Sequence, residues 1–338
     1  MIKKVSSDGY NYIFNYDTGF FARWGKTVDE NPVWSPMGPE ILDIEVSTIC
    51  HGIGSPCKWC YKSNTPIGKN MSFETFKIIF DKMPKNLTQI AFGIGDIDAN
   101  PDLFKMFEYC RKNEVVPNVT INGYLLTDGL VDRLVDLCGA VAVSNYNDDL
   151  CYGTVKRLAD KGLKQVNIHQ LFAKETTLKC LKTMEDAQLD SRLDKLNAIV
   201  FLTLKPKGKR NDLTVPGDVG LYKQLIDYAI EHKVRIGFDS CGANMFLEAV
   251  KGRDDYKSFE AVCEPCESGL FSSYINVDSK YFPCSFAEGL PEFGGGVDVV
   301  NCSNFIEDVW NKNGINKWRY KLLKNKRGCP IFNLEEGR

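Results

Sequence analysis

Histidine is scarce in this sequence of 338 residues: only His51, His169 and His232 occur, and no two stand at a metal-binding spacing. That excludes the histidine-built zinc and non-haem iron centres, so any metal here would be held chiefly by thiolates. Long apolar runs are missing too. The strongest, such as NAIVFLTL at 197–204, fall far short of the roughly 20 apolar residues a membrane span needs. The opening MIKKVSSDGYNYIF has neither the apolar stretch nor the cleavage site of a secretory signal, so a soluble, unexported, cytoplasmic protein with no membrane partner is expected. Neither sign of charge is in excess, with 42 Lys and Arg against 44 Asp and Glu, and no block of like charge occurs. Such a chain offers no field for gripping phosphate backbones, and nucleic acid is not suggested as a partner.

Cysteine, by contrast, is plentiful, at thirteen residues. In a chain with no export signal the disulfide reading weakens, and metal or catalytic roles gain weight. Three of the thirteen fall in CHGIGSPCKWC, as Cys50, Cys57 and Cys60, with Gly52, Gly54 and Pro56 letting the backbone fold around one centre. Structural zinc sites close with four protein ligands, and no fourth cysteine or spaced histidine lies nearby. Three thiolates suit a [4Fe–4S] cluster with one iron left open to an exogenous ligand. A second group comprises Cys263, Cys266, Cys284, Cys302 and Cys329, with Cys241 just ahead of it. Cys110, Cys138, Cys151 and Cys180 fall on amphipathic stretches and read as buried small hydrophobes.

Between residues 41 and 245 short β-branched runs alternate with helix-length amphipathic segments, from ILDIEVS and SFETFKIIFDKMP through to VRIGFDS. That pattern predicts right-handed βαβ units on a parallel sheet, enough for a whole or partial barrel, in which chemistry gathers at the carboxyl ends of the strands. The cysteine triplet follows the first of these strands. GIGD, NGY, SNYND and DSCG follow later ones. Residues 1–40 read as an aromatic-rich β-hairpin extension. Residues 246–338 read as a smaller cysteine-rich α+β unit with a hairpin in SSYINVDSKYFPCSF and one amphipathic helix in NFIEDVWNKNGINKWRYKLL.

The triplet, with Trp59 before its last cysteine, and the barrel pattern behind it resemble the radical S-adenosylmethionine (SAM) enzymes over roughly residues 40–245. The usual spacing in that family is C-x3-C-x2-C, so the first gap here is longer. GIGD (Gly93, Gly95, Asp96) resembles the family segment that receives the SAM amino group, and TINGYLL, with Asn122, resembles another strand end at the SAM site. The resemblance places Ser144 and Asn167 against the SAM ribose and carboxylate, and LKPKG near its adenine. It implies a partial (β/α)6 TIM-like barrel in which Cys50, Cys57 and Cys60 hold the cluster and SAM is cleaved reductively to a 5′-deoxyadenosyl radical. The tail resembles the SPASM and twitch domains. That implies one auxiliary [4Fe–4S] cluster on Cys266, Cys284 and Cys329, with Cys241 ranked slightly ahead of Cys263 as the fourth ligand. The expected activity is that of an oxidoreductase modifying a peptide or protein, as RiPP or sulfatase maturases do, with a flavodoxin- or ferredoxin-type reductant. With 49 residues before Cys50, a leader-binding winged domain is not expected. The rival readings are a small-molecule radical SAM dehydrogenase and a non-catalytic zinc or iron–sulfur scaffold.

Overall fold

In the computed structural model, which describes residues 1–27 and 30–334, the chain opens with a three-stranded antiparallel sheet. Its strands β1 (Ile2–Ser7), β2 (Tyr10–Asn15) and β3 (Phe21–Trp24) exceed the expected hairpin by one. The extra turn forms because Asn15 Oδ1 accepts from the backbone N–H groups of Asp17 and Thr18. Alternate residues of β2, namely Tyr10, Tyr12 and Phe14, are fully buried against Leu270, Phe271 and Leu322 of the tail.

Among the described residues the second sheet has ten strands. β4 (Ile41–Glu45), β5 (Gln89–Gly93), β6 (Val116–Ile121), β7 (Val141–Ser144), β8 (Val166–Phe172), β9 (Ala198–Thr203) and β10 (Ile236–Phe238) pair in parallel and in chain order. The crossovers carry α1 (Phe73–Lys82), α2 (Leu103–Lys112), α3 (Asp128–Leu137), α4 (Asp148–Asp160), α5 (Thr177–Leu189) and α6 (Val219–Glu231). Ser72, Thr127, Asn147 and Asp218 start four of these helices, each side chain accepting a backbone N–H two or three residues on. The strands alternate as a half-enclosed sheet requires. In β8, Val166, Ile168 and Phe172 join the core under the helices, while Asn167, His169 and Leu171 lie on the opposite face. Cys110, Cys138, Cys151 and Cys180 are all buried. Among the described residues no strand pairing joins β10 back to the far edge, so the sheet is an open arc.

The tail extends this same sheet. After α7 (Ala243–Val250) and α8 (Tyr256–Val262), β11 (Ser272–Ile275) pairs in parallel with β4, and β12 (Lys280–Phe282) and β13 (Val297–Asp298) follow antiparallel. Strand β4 is thus flanked on both sides, by β5 and by β11. The single helix expected after residue 303 is two: a π-helical turn at Ile306–Trp310 and α9 (Asn313–Lys324). Asn311-Lys312-Asn313-Gly314 favours a break, with Lys312 extended, and each half buries its own tryptophan. The Trp310 indole donates to Ser35 O at 2.9 Å, and that of Trp318 to Ser268 O at 3.0 Å.

Candidate functional site

Past β4 the chain runs extended and is pinned before it reaches the first cysteine. Thr48 N donates to Lys69 O at 3.0 Å, Cys50 N to Thr65 O at 2.9 Å, and isolated bridges join Ser47 to Asn70 and Ile49 to Thr65. The segment between is a strap closed at its base. Gly52, at φ +66°, lets it turn: a Cβ there would lie 2.0 Å from Ser55 O. Cys50, Cys57 and Cys60 are half-buried and unbridged. Burial pushes the Cys50 thiol up to about 11, with Asp96, Cys57 and Cys60 adding repulsion, and burial and Cys60 likewise raise Cys57. Cys50 and Cys57 therefore each lie within electrostatic reach of Cys60. The loop after β9 covers the strap. Arg210 Nε donates to Cys57 O at 3.3 Å, and Gly208, at φ +108°, approaches so closely that a Cβ would lie 2.4 Å from Cys60 O. Part of LKPKG, read as an adenine region, thus packs on the cysteine loop.

The end of β5 wedges against the same strap. Gly95 has no room for a side chain, since a Cβ would stand 2.3 Å from Ile49 O and 2.4 Å from Cys50 Cβ. Asp96 Oδ2 accepts the His51 backbone N–H at 2.8 Å and lies 2.7 Å from His51 Nδ1. Asp96 Oδ1 is buried without a donor, and the Trp59 indole Nε1 is buried without an acceptor. Buried polar atoms left in this state mark places where a ligand or water completes the pairing. Nothing in residue spacing signals the grip of His51 on Asp96, 45 positions on. Gly93 ends β5 beside Glu45, with a Cβ position only 3.4 Å from that residue's Cα. Asn122, just past β6, is buried and caps its own turn, Oδ1 accepting from Tyr124 N at 2.9 Å. Ser144 closes β7 at the level of His169. Asn167 is not brought to this rim. It sits near the amino end of β8, two residues before His169, and accepts from Asn197 Nδ2 at 2.8 Å.

Four tail cysteines come from four places: Cys241 after β10, Cys266 before β11, Cys284 after β12, and Cys329 after α9. Cys241 feels burial first, then Lys205, Asp239, Cys266 and Cys329. Burial lifts Cys284 to about 12, with Cys266 and Cys329 contributing. Cys263 stands apart. Burial and Glu264 raise it to about 11, Arg327 opposes, and its Sγ points to Ala243 O at 3.9 Å. Cys241 and Cys329 share a cavity of about 360 Å³ with Asn244, Met245 and Phe332. Lys205, buried and ion-paired with Asp239, faces Cys241, a contact no sequence spacing foretold. Among the described residues no three His, Cys, Asp or Glu side chains are gathered tightly enough to grip one metal ion. A single zinc draws its sulfurs to about 2.3 Å from one point. A cubane gives each thiolate its own iron and so asks for wider spacing than one zinc does.

Solved structures share this architecture. Streptococcus suis SuiB bound to precursor peptide SuiA aligns over 94% of this chain and 89% of its own, at 12% identity and a TM-score of 0.70. The same protein bound to S-adenosylmethionine aligns over 84% of this chain and 68% of its own, at 14% identity and 0.66. The anSMEcpe structure with bound AdoMet and Cp18Cys peptide covers 82% of each chain, at 16% identity and 0.59. The likeness is one of fold. No protein-family model matches the sequence, and no curated protein does. No helix among the described residues is long and apolar enough to cross a membrane.

Proposed function

We propose that this chain is a radical SAM enzyme that modifies a peptide or protein substrate. The observation that carries the reading is a strap holding three unbridged thiols at the end of β4, where the β5 wedge leaves a buried carboxylate oxygen free. Cys50, Cys57 and Cys60 would hold a [4Fe–4S] cluster whose fourth iron is open, and Gly93, Gly95, Asp96, Asn122 and Ser144 would bound the SAM site. When bound, cluster and SAM together supply a 5′-deoxyadenosyl radical that takes a hydrogen atom from substrate. The chain's part is to orient and enclose. The glycines at 52, 95 and 208 permit close backbone contact, and the β9–α6 loop shields the cysteines from water. In this reading residues 41–245 carry SAM, and residues 246–338 carry an auxiliary [4Fe–4S] cluster on Cys241, Cys266, Cys284 and Cys329. The mutual influence of those four thiols supports the set, as does the separate surroundings of Cys263. A peptide substrate is favoured because SuiB and anSMEcpe, which share the fold, were solved with peptides bound. The electron would come from a flavodoxin- or ferredoxin-type donor.

Anaerobic reconstitution followed by dithionite and SAM tests this directly. About eight irons per chain, matching sulfide, and 5′-deoxyadenosine are expected. A preparation that takes up only zinc and leaves SAM intact would establish the scaffold reading instead. Peptides encoded beside the gene should raise 5′-deoxyadenosine above the uncoupled rate.

A further inference from the structure

We propose that His51 is a positioning residue that fixes Asp96 as a single-oxygen receptor for the ammonium group of SAM. The inference rests on the SAM reading above and deepens it. Asp96 is held from both ends of its short side chain. Its backbone N–H donates to Ile49 O at 3.3 Å, and the absence of a side chain at Gly95 lets this corner press against residues 49 and 50. At the far end, both donors of His51, main chain and ring, converge on Oδ2 at 2.8 and 2.7 Å. A carboxylate with one oxygen doubly engaged cannot rotate freely about its last torsion, so Oδ1 is fixed as well. That oxygen is buried and has no partner among the described residues.

A buried anionic oxygen without a donor is costly, and is retained where a ligand brings the donor. The cationic donor that the cysteine loop would bring is the SAM amino group. The His51 side chain is 62% exposed and joins no part of the core. Its removal should therefore loosen Asp96 without unfolding the strap.

The test measures SAM affinity of the reconstituted holoenzyme by anaerobic equilibrium dialysis, with iron content measured on the same samples. His51→Ala should weaken SAM roughly tenfold at unchanged iron, the scale expected for a charged hydrogen bond lost from its place. His51→Gln, which restores a side-chain donor, should stay within about threefold of wild type. Asp96→Asn should cost at least as much as His51→Ala, and adding His51→Ala to it should cost little more, because the two act through one contact. Unchanged SAM affinity in His51→Ala would overturn the inference, as would iron loss in proportion to SAM loss, or full additivity in the double variant. A wild-type holoenzyme that holds its iron but binds no SAM would overturn the SAM reading itself.

Discussion

The two cysteine groups of this molecule are built in opposite ways. Cys50, Cys57 and Cys60 lie within eleven residues, on one strap whose base is closed by main-chain hydrogen bonds. Cys241, Cys266, Cys284 and Cys329 span almost ninety residues, and their relative places are set by the pairing of β11 with β4 and by the chain after α9. A local loop can be preorganised by glycines and a few main-chain bonds. A distributed set depends on tertiary packing, so under the proposed function metal binding there would be coupled to the folding of the tail. Lys62 joins the two regions. It pairs with Glu45 at the end of β4 at 3.0 Å, donates to Tyr274 Oη at 2.7 Å, and pairs with Glu288 of the tail.

The sharpest break in this comparison is expected from Cys57→Ala, which should abolish 5′-deoxyadenosine formation and remove about four irons while sparing the tail's share. Liquid chromatography of the product beside an iron assay reads both effects. Cys266→Ala should invert the result: about four irons lost again, yet uncoupled SAM cleavage retained. Full iron content in that variant would remove the auxiliary assignment. Next in size comes Gly208→Ala. Its φ of +108° and the 2.4 Å approach to Cys60 O leave no space for a methyl group, so a loss of about 1–3 kcal/mol is expected in thermal or urea unfolding. A stability equal to wild type would mean the β9–α6 loop does not press on the strap. Cys263→Ala should have the smallest effect, with iron content unchanged, and it separates the neighbours Cys263 and Cys266 directly.

The contrast also explains what could be read from the residues alone. The βα alternation from Ile41 to Phe238 reports its own period, so the parallel sheet was legible, as was the place of the triplet just past its first strand. Spacing within one loop is likewise a local signal. The attachment of β11 to β4 was not legible, because Ser272–Ile275 pairs with a strand some 230 positions earlier and its sequence names no partner. The same applies to Lys205 against Cys241 and His51 against Asp96. Asn167 shows the limit of strand order as a signal. Its polar side chain suits a SAM contact, but nothing in the sequence tells that it stands two residues before His169 and accepts from Asn197 Nδ2. The third N-terminal strand was missed because Phe21–Trp24 is short and its turn rests on one asparagine side chain.

The proposed chemistry requires that the strap's three thiolates hold a cluster with an open iron. Electron paramagnetic resonance of the reduced, reconstituted Cys266→Ala variant isolates that centre. About four irons per chain and a [4Fe–4S]⁺ signal that changes when SAM is added are predicted. A variant that takes up zinc in place of iron, or a cluster signal indifferent to SAM, would contradict it.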